Sequence, residues 1–232
     1  MNLCDEYAKN CGTDKSSEFH NYTEIYERYF AATRNEVKSL LEIGVWHGES
    51  LKLWQQYFPN AKIVGVDVMP DCRQYETDRA KVIIADATKQ LQFPMDVYEW
   101  LMGAFKPNEV NPSVEFDIII DDGSHHNDHV IKSFELLFPN VKAGGYYIVE
   151  DTSCSYFEKH FGGGLKSANS MVEYFKAKVD EMHFNGYRGE TYRSDRKYLI
   201  EQATAAGVEL SYYSLHIKSI AFYNGLIFIE KV

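Results

Sequence analysis

Residues 117–130, "DIIIDDGSHHNDHV", run three isoleucines into two aspartates and then three histidines. Further along, "GGYYIVEDT" ends a second apolar run in Glu150 and Asp151. Carboxylates delivered by neighbouring strand ends repel one another unless they are protonated or share a cation. A hard divalent ion resolves this, since Mg²⁺ takes about six oxygen ligands and keeps positions for water or substrate. Nearby histidines leave a transition metal open. His125 and His129 have HxxxH spacing but lack the glutamate of HExxH, which argues against a zinc protease. Asp122, Glu150 and Asp151 therefore read as a metal site. His126, Asp128 and His129 read as solvated helix-start polarity, where Asp122 and Ser124 offer caps as the competing reading. Adjacent residues on a strand point to opposite faces, so both acids of a pair stay in register only if the chain turns at once, as Gly123 and Thr152 would allow.

A second group lies at the ends of earlier strands. "EIGVWHGES" follows an apolar run: Gly44 permits a tight turn, Gly48 opens the next helix, and Glu42 is placed to receive a cationic ligand group. Trp46 fills the middle glycine position of a dinucleotide fingerprint, which disfavours a pyrophosphate site; its ordinary reading is core packing. Asp67 closes "KIVGVDV" and suits two ribose hydroxyls, while Asp86 closes "KVIIAD" and suits an adenine amine. Asp121 is read as facing the same ligand. Ribose, adenine and an ammonium group with few phosphates describe S-adenosylmethionine.

These residues need a scaffold, and strand and helix patterns alternate to supply it. "SLLEIG", "KIVGVDV", "KVIIAD", "FDIIID" and "GGYYIVED" are near-continuous apolar runs, and "SLKLWQQYF" and "HVIKSFELLF" are amphipathic helices between them. That alternation predicts a parallel sheet covered on both faces. Asn224-Gly225 marks a terminal hairpin. Five parallel strands followed by an antiparallel hairpin resemble the class I methyltransferase fold, an α/β Rossmann-like architecture. The expected organisation is one domain over 1–232, with an N-terminal helical segment at 1–35, an inserted helix and loop near 89–115 and a mobile lid at 152–196.

Composition bounds the rest. The 232 residues are 45% hydrophobic and 15% aromatic, which fits a globular chain with a sizeable core. A formal net charge of -10 with no basic run argues against a nucleic-acid partner. Four scattered cysteines form no metal or disulfide framework, and "MNLCDEYAKNCG" shows no basic segment followed by an apolar run. With no ~20-residue apolar stretch, a cytoplasmic protein without a membrane partner is expected.

"GTDK", "HNYTEIYERYF", "LLEIGVWHGESL", "VGVDV", "IIIDDGSH" and "YYIVEDT", in that order over residues 11–152, resemble the metal-dependent sugar O-methyltransferases of macrolide biosynthesis and the related cephalosporin hydroxylase/methoxylation proteins. The resemblance implies Asp122, Glu150 and Asp151 as Mg²⁺ ligands and His125 as general base. It also implies S-adenosylmethionine contacts from Thr13, from Val45, Trp46 and His47 within "EIGVWHG", and from Asp67, with Asp86 alongside. The acceptor it implies is a small sugar-containing molecule, and the assembly a homo-oligomer. Competing readings are a catechol-type O-methyltransferase walled by Tyr156, Phe157 and Phe161, a nucleotide-sugar oxidoreductase that binds NAD, and a non-catalytic protein that keeps the fold.

Overall fold

The computed structural model describes residues 2–103, 114–184 and 195–232. Its strands are β1 (Ser39–Ile43), β2 (Lys62–Asp67), β3 (Ala80–Ile84), β4 (Phe116–Asp121), β5 (Val141–Val149), β6 (Ile217–Tyr223) and β7 (Leu226–Lys231). They form one sheet in the order β3-β2-β1-β4-β5-β7-β6. Strands β1 to β5 pair in parallel, and β7 runs antiparallel between β5 and β6. Register aligns the working ends: Ile43 lies opposite both Val66 and Asp121, and Asp121 opposite Val149. One step further along these strands come Gly44, Asp67, Asp122 and Glu150. The acids therefore share one edge of the sheet because their strands end in step.

Both faces of the central strands are buried, which is why these strands read as continuous apolar runs rather than alternating ones. On one face Leu41, Val64, Ile119 and Tyr147 pack with α5 (Asn127–Leu137) and α7 (Met171–Met182) through Phe134 and Phe175. On the other, Leu40, Ile63, Ile118 and Ile148 pack with α1 (Leu3–Cys11), α2 (Thr23–Phe30) and α3 (Glu49–Tyr57). Trp54 on α3 is fully buried against Tyr26 of α2, with ring centroids 4.8 Å apart. Truncating such a residue to alanine costs about 3–5 kcal/mol.

The first helix carried only a weak sequence signal, because its buried residues, Cys4 and Ala8, are small. Asn2 caps it by accepting from the Asp5 amide, and Gly12 ends it in the left-handed conformation, φ 79°. That stop turns residues 13–15 toward the strand ends. The short helix α4 (Met95–Met102) lies within the expected insertion, the rest of which includes residues 104–113, outside the described residues.

The segment expected as a mobile lid divides. Residues 152–170 carry a 3₁₀ turn, Thr152–Tyr156, and the one-turn helix α6 (Glu158–Phe161). Buried Asn127 pins them down by donating to the Phe161 carbonyl at 2.7 Å and accepting from the Met171 amide at 2.7 Å. Helix α7 is core rather than cover, since Met171 and Phe175 are fully buried. Residues 185–194 of the expected lid lie outside the described residues. Helices α8 (Arg196–Ala205) and α9 (Tyr212–His216) then lead into the hairpin. Gly225 turns it at φ 77°, where a side chain would collide with the Tyr22 hydroxyl. The hairpin turn thus braces the N-terminal helices as well as joining two strands.

Candidate active site

Beyond the strand ends lie two cavities of about 390 Å³ each. Gly44, Trp46, Asp122 and Gly123 line both, so they are two chambers of one crevice. The backbone makes this closeness possible: Gly44 has φ 91°, and any side chain there would strike the Asp122 carbonyl.

The outer chamber is lined by Asp67, Asp86 and Asp121 among apolar residues such as Val66, Ala85 and Val130. Asp67 accepts from the Val45 amide at 2.8 Å, the Trp46 amide at 3.2 Å and the Met69 amide at 2.8 Å. Burial alone would raise its pKa, but these three amides outweigh that and hold it below the ordinary value. Asp86 is held low chiefly by the Thr88 hydroxyl at 2.6 Å, with Lys89 beside it. Asp121 is buried and accepts from Ser133 and Tyr147; burial wins and pushes its pKa up.

The inner chamber is lined by Thr13, Lys15, Val45, His47, His125 and Asp151. Here Asp122, His125 and Asp151 offer ligand atoms that all lie within 4.8 Å of one another. Nε2 of His125 is 3.5 Å from Oδ2 of Asp151. The Tyr22 hydroxyl donates to the other Asp151 oxygen at 2.6 Å. Each of the three is partly open to solvent, at 23% for Asp122, 25% for His125 and 22% for Asp151. Trp46, His125 and Asp151 all adopt positive φ, at 49°, 57° and 52°. Such backbone is uncommon for residues other than glycine and clusters where side chains must be aimed. The turns expected at Gly123 and Thr152 are made instead at His125 and Asp151.

Four expectations change. Glu150, expected as a third metal ligand, is 1% exposed and has both oxygens engaged, by the Lys15 ammonium at 2.5 Å and the Tyr26 hydroxyl at 2.5 Å. Its amide still pairs with the Asp121 carbonyl, so it keeps the strand's alternation and faces α2, while Asp151 turns back to the crevice. Glu42, expected to meet the cofactor, lines neither chamber; it is fully buried and accepts from Ser50 and Trp54. Burial pushes its pKa up to about 7. Gly48 also lines neither chamber, because it faces the Tyr75 ring. Trp46 is not core: it is 65% exposed between the chambers, aimed outward by its left-handed backbone.

At the start of α5, His126 occupies the N-cap position without a side-chain cap bond, and Asp122 reaches Lys15 rather than capping. Ser124 pairs with His129 at 2.8 Å, and His129 lines the outer chamber. Asp128 faces outward beside Lys132, as helix-start polarity should.

Sequence reasoning missed Lys15, Tyr22 and Tyr26. Lys15 sits 2.6 Å from Asp122, 2.5 Å from Glu150 and 3.9 Å from Glu42, and is 1% exposed. Burial favours its neutral form, but the three acids together outweigh that and hold its pKa well above the ordinary lysine value. The one available signal was arithmetic: several strand-end acids need a cation, and "GTDK" holds one. Tyr22 and Tyr26 stood in the sequence as an apolar helical stripe, which says nothing of where their hydroxyls point.

A sheet of this order, with acids at its carboxyl edge and a cleft across the switch point, defines the class I methyltransferase fold. Residues 41–152 match the family model described as a methyltransferase domain. Among curated proteins, the chain is 33% identical over 190 residues to L-olivosyl-oleandolide 3-O-methyltransferase of Streptomyces antibioticus, covering 78% of this chain and 46% of that one. It is 32% identical over 229 residues to demethylmacrocin O-methyltransferase of Streptomyces fradiae, covering 94% and 50%. The crystal structure of MycE methyltransferase from the mycinamycin biosynthetic pathway, in complex with Mg and SAH, superposes with a TM-score of 0.75 at 28% identity, covering 98% of this chain and 54% of that one. The chain thus spans about half the length of these relatives. Over residues 41–152 it carries the methyltransferase domain, and it is similar along most of its length to the O-methyltransferases named above.

Proposed function

We propose that the chain is an S-adenosylmethionine- and divalent-cation-dependent O-methyltransferase acting on a hydroxyl of a sugar or glycosylated small molecule. The observation that carries this is the open group Asp122–His125–Asp151 at the junction of the two chambers. Two carboxylates and an imidazole match the donor preferences of a divalent ion, and Mg²⁺ suits the oxygens. The relatives named above, sugar O-methyltransferases and a neighbour holding Mg and SAH, support the same reading.

The outer chamber is suited to the nucleoside: Asp67 and Asp86 present carboxylate oxygens among apolar walls. Thr13, Val45 and His47 extend from it into the inner chamber. When bound, the divalent ion polarises the acceptor hydroxyl, and S-adenosylmethionine supplies the electrophilic methyl group. Asp122 and Asp151 would hold the ion. His125 takes the hydroxyl proton at Nε2, and the imidazolium so formed is stabilised by Asp151 at 3.5 Å. Tyr22 fixes the orientation of Asp151 by its hydrogen bond. The crevice contributes alignment of the two reactants.

His125 also stands close enough to Asp122 and Asp151 to be a ligand rather than a base. One nitrogen does not serve both roles in one turnover, so the readings separate. Phe161, whose ring centroid lies 6.4 Å from that of His125, and Phe157 packed on it at 6.2 Å, keep a planar aromatic acceptor as a second reading. An NAD-dependent oxidoreductase gains no support, because Trp46 stands where the fingerprint needs glycine and β7 is antiparallel. The proposal includes a single cytoplasmic domain working as a homo-oligomer, without a nucleic-acid or membrane partner; no helix among the described residues is long and apolar enough to cross a membrane.

The test is transfer of labelled methyl from S-adenosylmethionine to a panel of glycosides and catechols, with and without a chelator. Methylation of a glycoside that stops on chelation and returns with Mg²⁺ is expected. Transfer to catechols alone, or transfer indifferent to chelation, overturns the corresponding part.

A further inference from the structure

The ammonium of Lys15 stands where a cation is needed, behind the wall of the inner chamber and with only 1% of its side chain exposed. It comes from the loop after α1, 107 residues from Asp122 and 135 from Glu150 in sequence, yet lies 2.6 Å and 2.5 Å from their carboxylates. Glu42 stands 3.9 Å away on the other side. Three acids converge on one buried amine, and two of them, Glu42 and Glu150, are themselves buried. Without that amine, carboxylates from the ends of β1, β4 and β5 would meet with no counter-charge, and a buried ion without a partner is strongly disfavoured. A chain that binds its divalent ion only after folding faces this problem each time it folds.

The geometry also divides the acids. Lys15 takes one oxygen of Glu150 and Tyr26 takes the other, so that carboxylate is fully used. Asp122 gives only Oδ2 to Lys15, and Asp151 gives Oδ1 to Tyr22. One oxygen of each remains directed toward the inner chamber, beside His125.

We propose that Lys15 is a positioning residue, a tethered cation that holds the acid cluster together in the metal-free protein and tempers its affinity for the divalent ion. This rests on the reading above, in which Asp122 and Asp151 hold a divalent ion. Asp122 and Asp151 with no ammonium beside them would draw Mg²⁺ harder than the same pair with one. Lys15 therefore trades affinity for a site that is formed before the ion arrives and can release it.

The experiment compares wild type, Lys15→Met, Glu150→Gln and Lys15→Met/Glu150→Gln by thermal melting in chelator and in Mg²⁺, and by calorimetric titration with Mg²⁺. Lys15→Met is expected to melt below wild type in chelator, to gain more from Mg²⁺ than wild type does, and to bind Mg²⁺ tighter by on the order of tenfold, because a unit charge beside a ligand is gone. The double variant is expected to recover most of the metal-free melting temperature, since the carboxylate orphaned by the first change is neutral. A Lys15→Met protein that binds Mg²⁺ no tighter than wild type overturns the proposal, as does a double variant that melts as low as the single one. Should Lys15→Met not fold, Glu150→Gln and the double variant make the same comparison, and equal affinities there count against it. Wild type that neither binds nor responds to Mg²⁺ removes the metal reading instead, while the melting comparison in chelator still reads the counter-ion role alone.

Discussion

The acids at the two halves of the crevice are satisfied in opposite ways. In the outer chamber, Asp67 and Asp86 take their hydrogen bonds from nearby chain: Asp67 from residues 45, 46 and 69, and Asp86 from Thr88 and Lys89. At the inner chamber, Asp122 and Asp151 on its wall and Glu150 buried behind them take theirs from Lys15, Tyr22 and Tyr26, more than a hundred residues away. Local satisfaction shapes a loop around a ligand and leaves the fold indifferent to it. Distant satisfaction makes the N-terminal segment part of the candidate site, and ties that site's electrostatics to the packing of α1 and α2 on the sheet.

The comparison breaks most easily at His125. With the divalent ion present, His125→Ala is expected to lower kcat by ~10² to 10⁴-fold, the range for a positioned general base. Titration of the same variant with Mg²⁺ should give unchanged affinity; a loss of binding would make the residue a ligand. Next comes Tyr22→Phe, which removes the bond that orients Asp151. Outer-shell partners of metal ligands typically carry ~10 to 100-fold in metal affinity or activity, and Mg²⁺ titration reads the loss directly. The matching change at α2's other hydroxyl, Tyr26→Phe, orphans one oxygen of buried Glu150 and should cost about 1–3 kcal/mol in denaturant unfolding. If Tyr22→Phe alters melting alone and leaves Mg²⁺ affinity intact, the two tyrosines do not divide as stated.

The smallest effect lies at the opposite edge of the sheet. Asp117 accepts from the Lys38 and Ser39 amides at 2.7 and 2.8 Å and pairs with Lys142 at 2.9 Å. Burial would raise its pKa, but Lys142 and the two amides hold it below the usual carboxylate range. A depressed folded-state pKa adds stability above the unfolded value, near ~4, and loses it as pH falls through the folded one. Asp117→Asn should thus be less stable than wild type at pH 7, by roughly 1 kcal/mol or a little more. The gap should narrow as pH drops below about 4, which urea unfolding at a series of pH values would show. Catalysis at pH 7 should be unaffected.

What was legible in the sequence follows the same division. The strands, the hairpin at Asn224-Gly225 and the placing of Asp67, Asp86 and Asp122 at strand ends all follow from local pattern and register. Helix α1 lies within the expected N-terminal helical segment, but its bounds were unmarked because small residues line its buried side. Glu150 and Asp151 were indistinguishable in "VEDT", since which of two neighbours turns back depends on a positive φ at an aspartate, where sequence offers no glycine as a marker. Lys15 was illegible because burial of a lysine is decided by partners that only the folded chain assembles. Trp46 misled for the reverse reason: a large aromatic reads as core until its backbone aims it outward.

The claim that matters most is that the inner acids, and not the outer ones, form the metal centre. Titration of Mn²⁺ followed by electron paramagnetic resonance, on wild type, Asp122→Asn, Asp151→Asn and Asp86→Asn, tests it most directly. One bound ion per chain is predicted in wild type and in Asp86→Asn, with binding lost or greatly weakened in both inner variants. Undiminished binding in Asp122→Asn and Asp151→Asn would contradict the account.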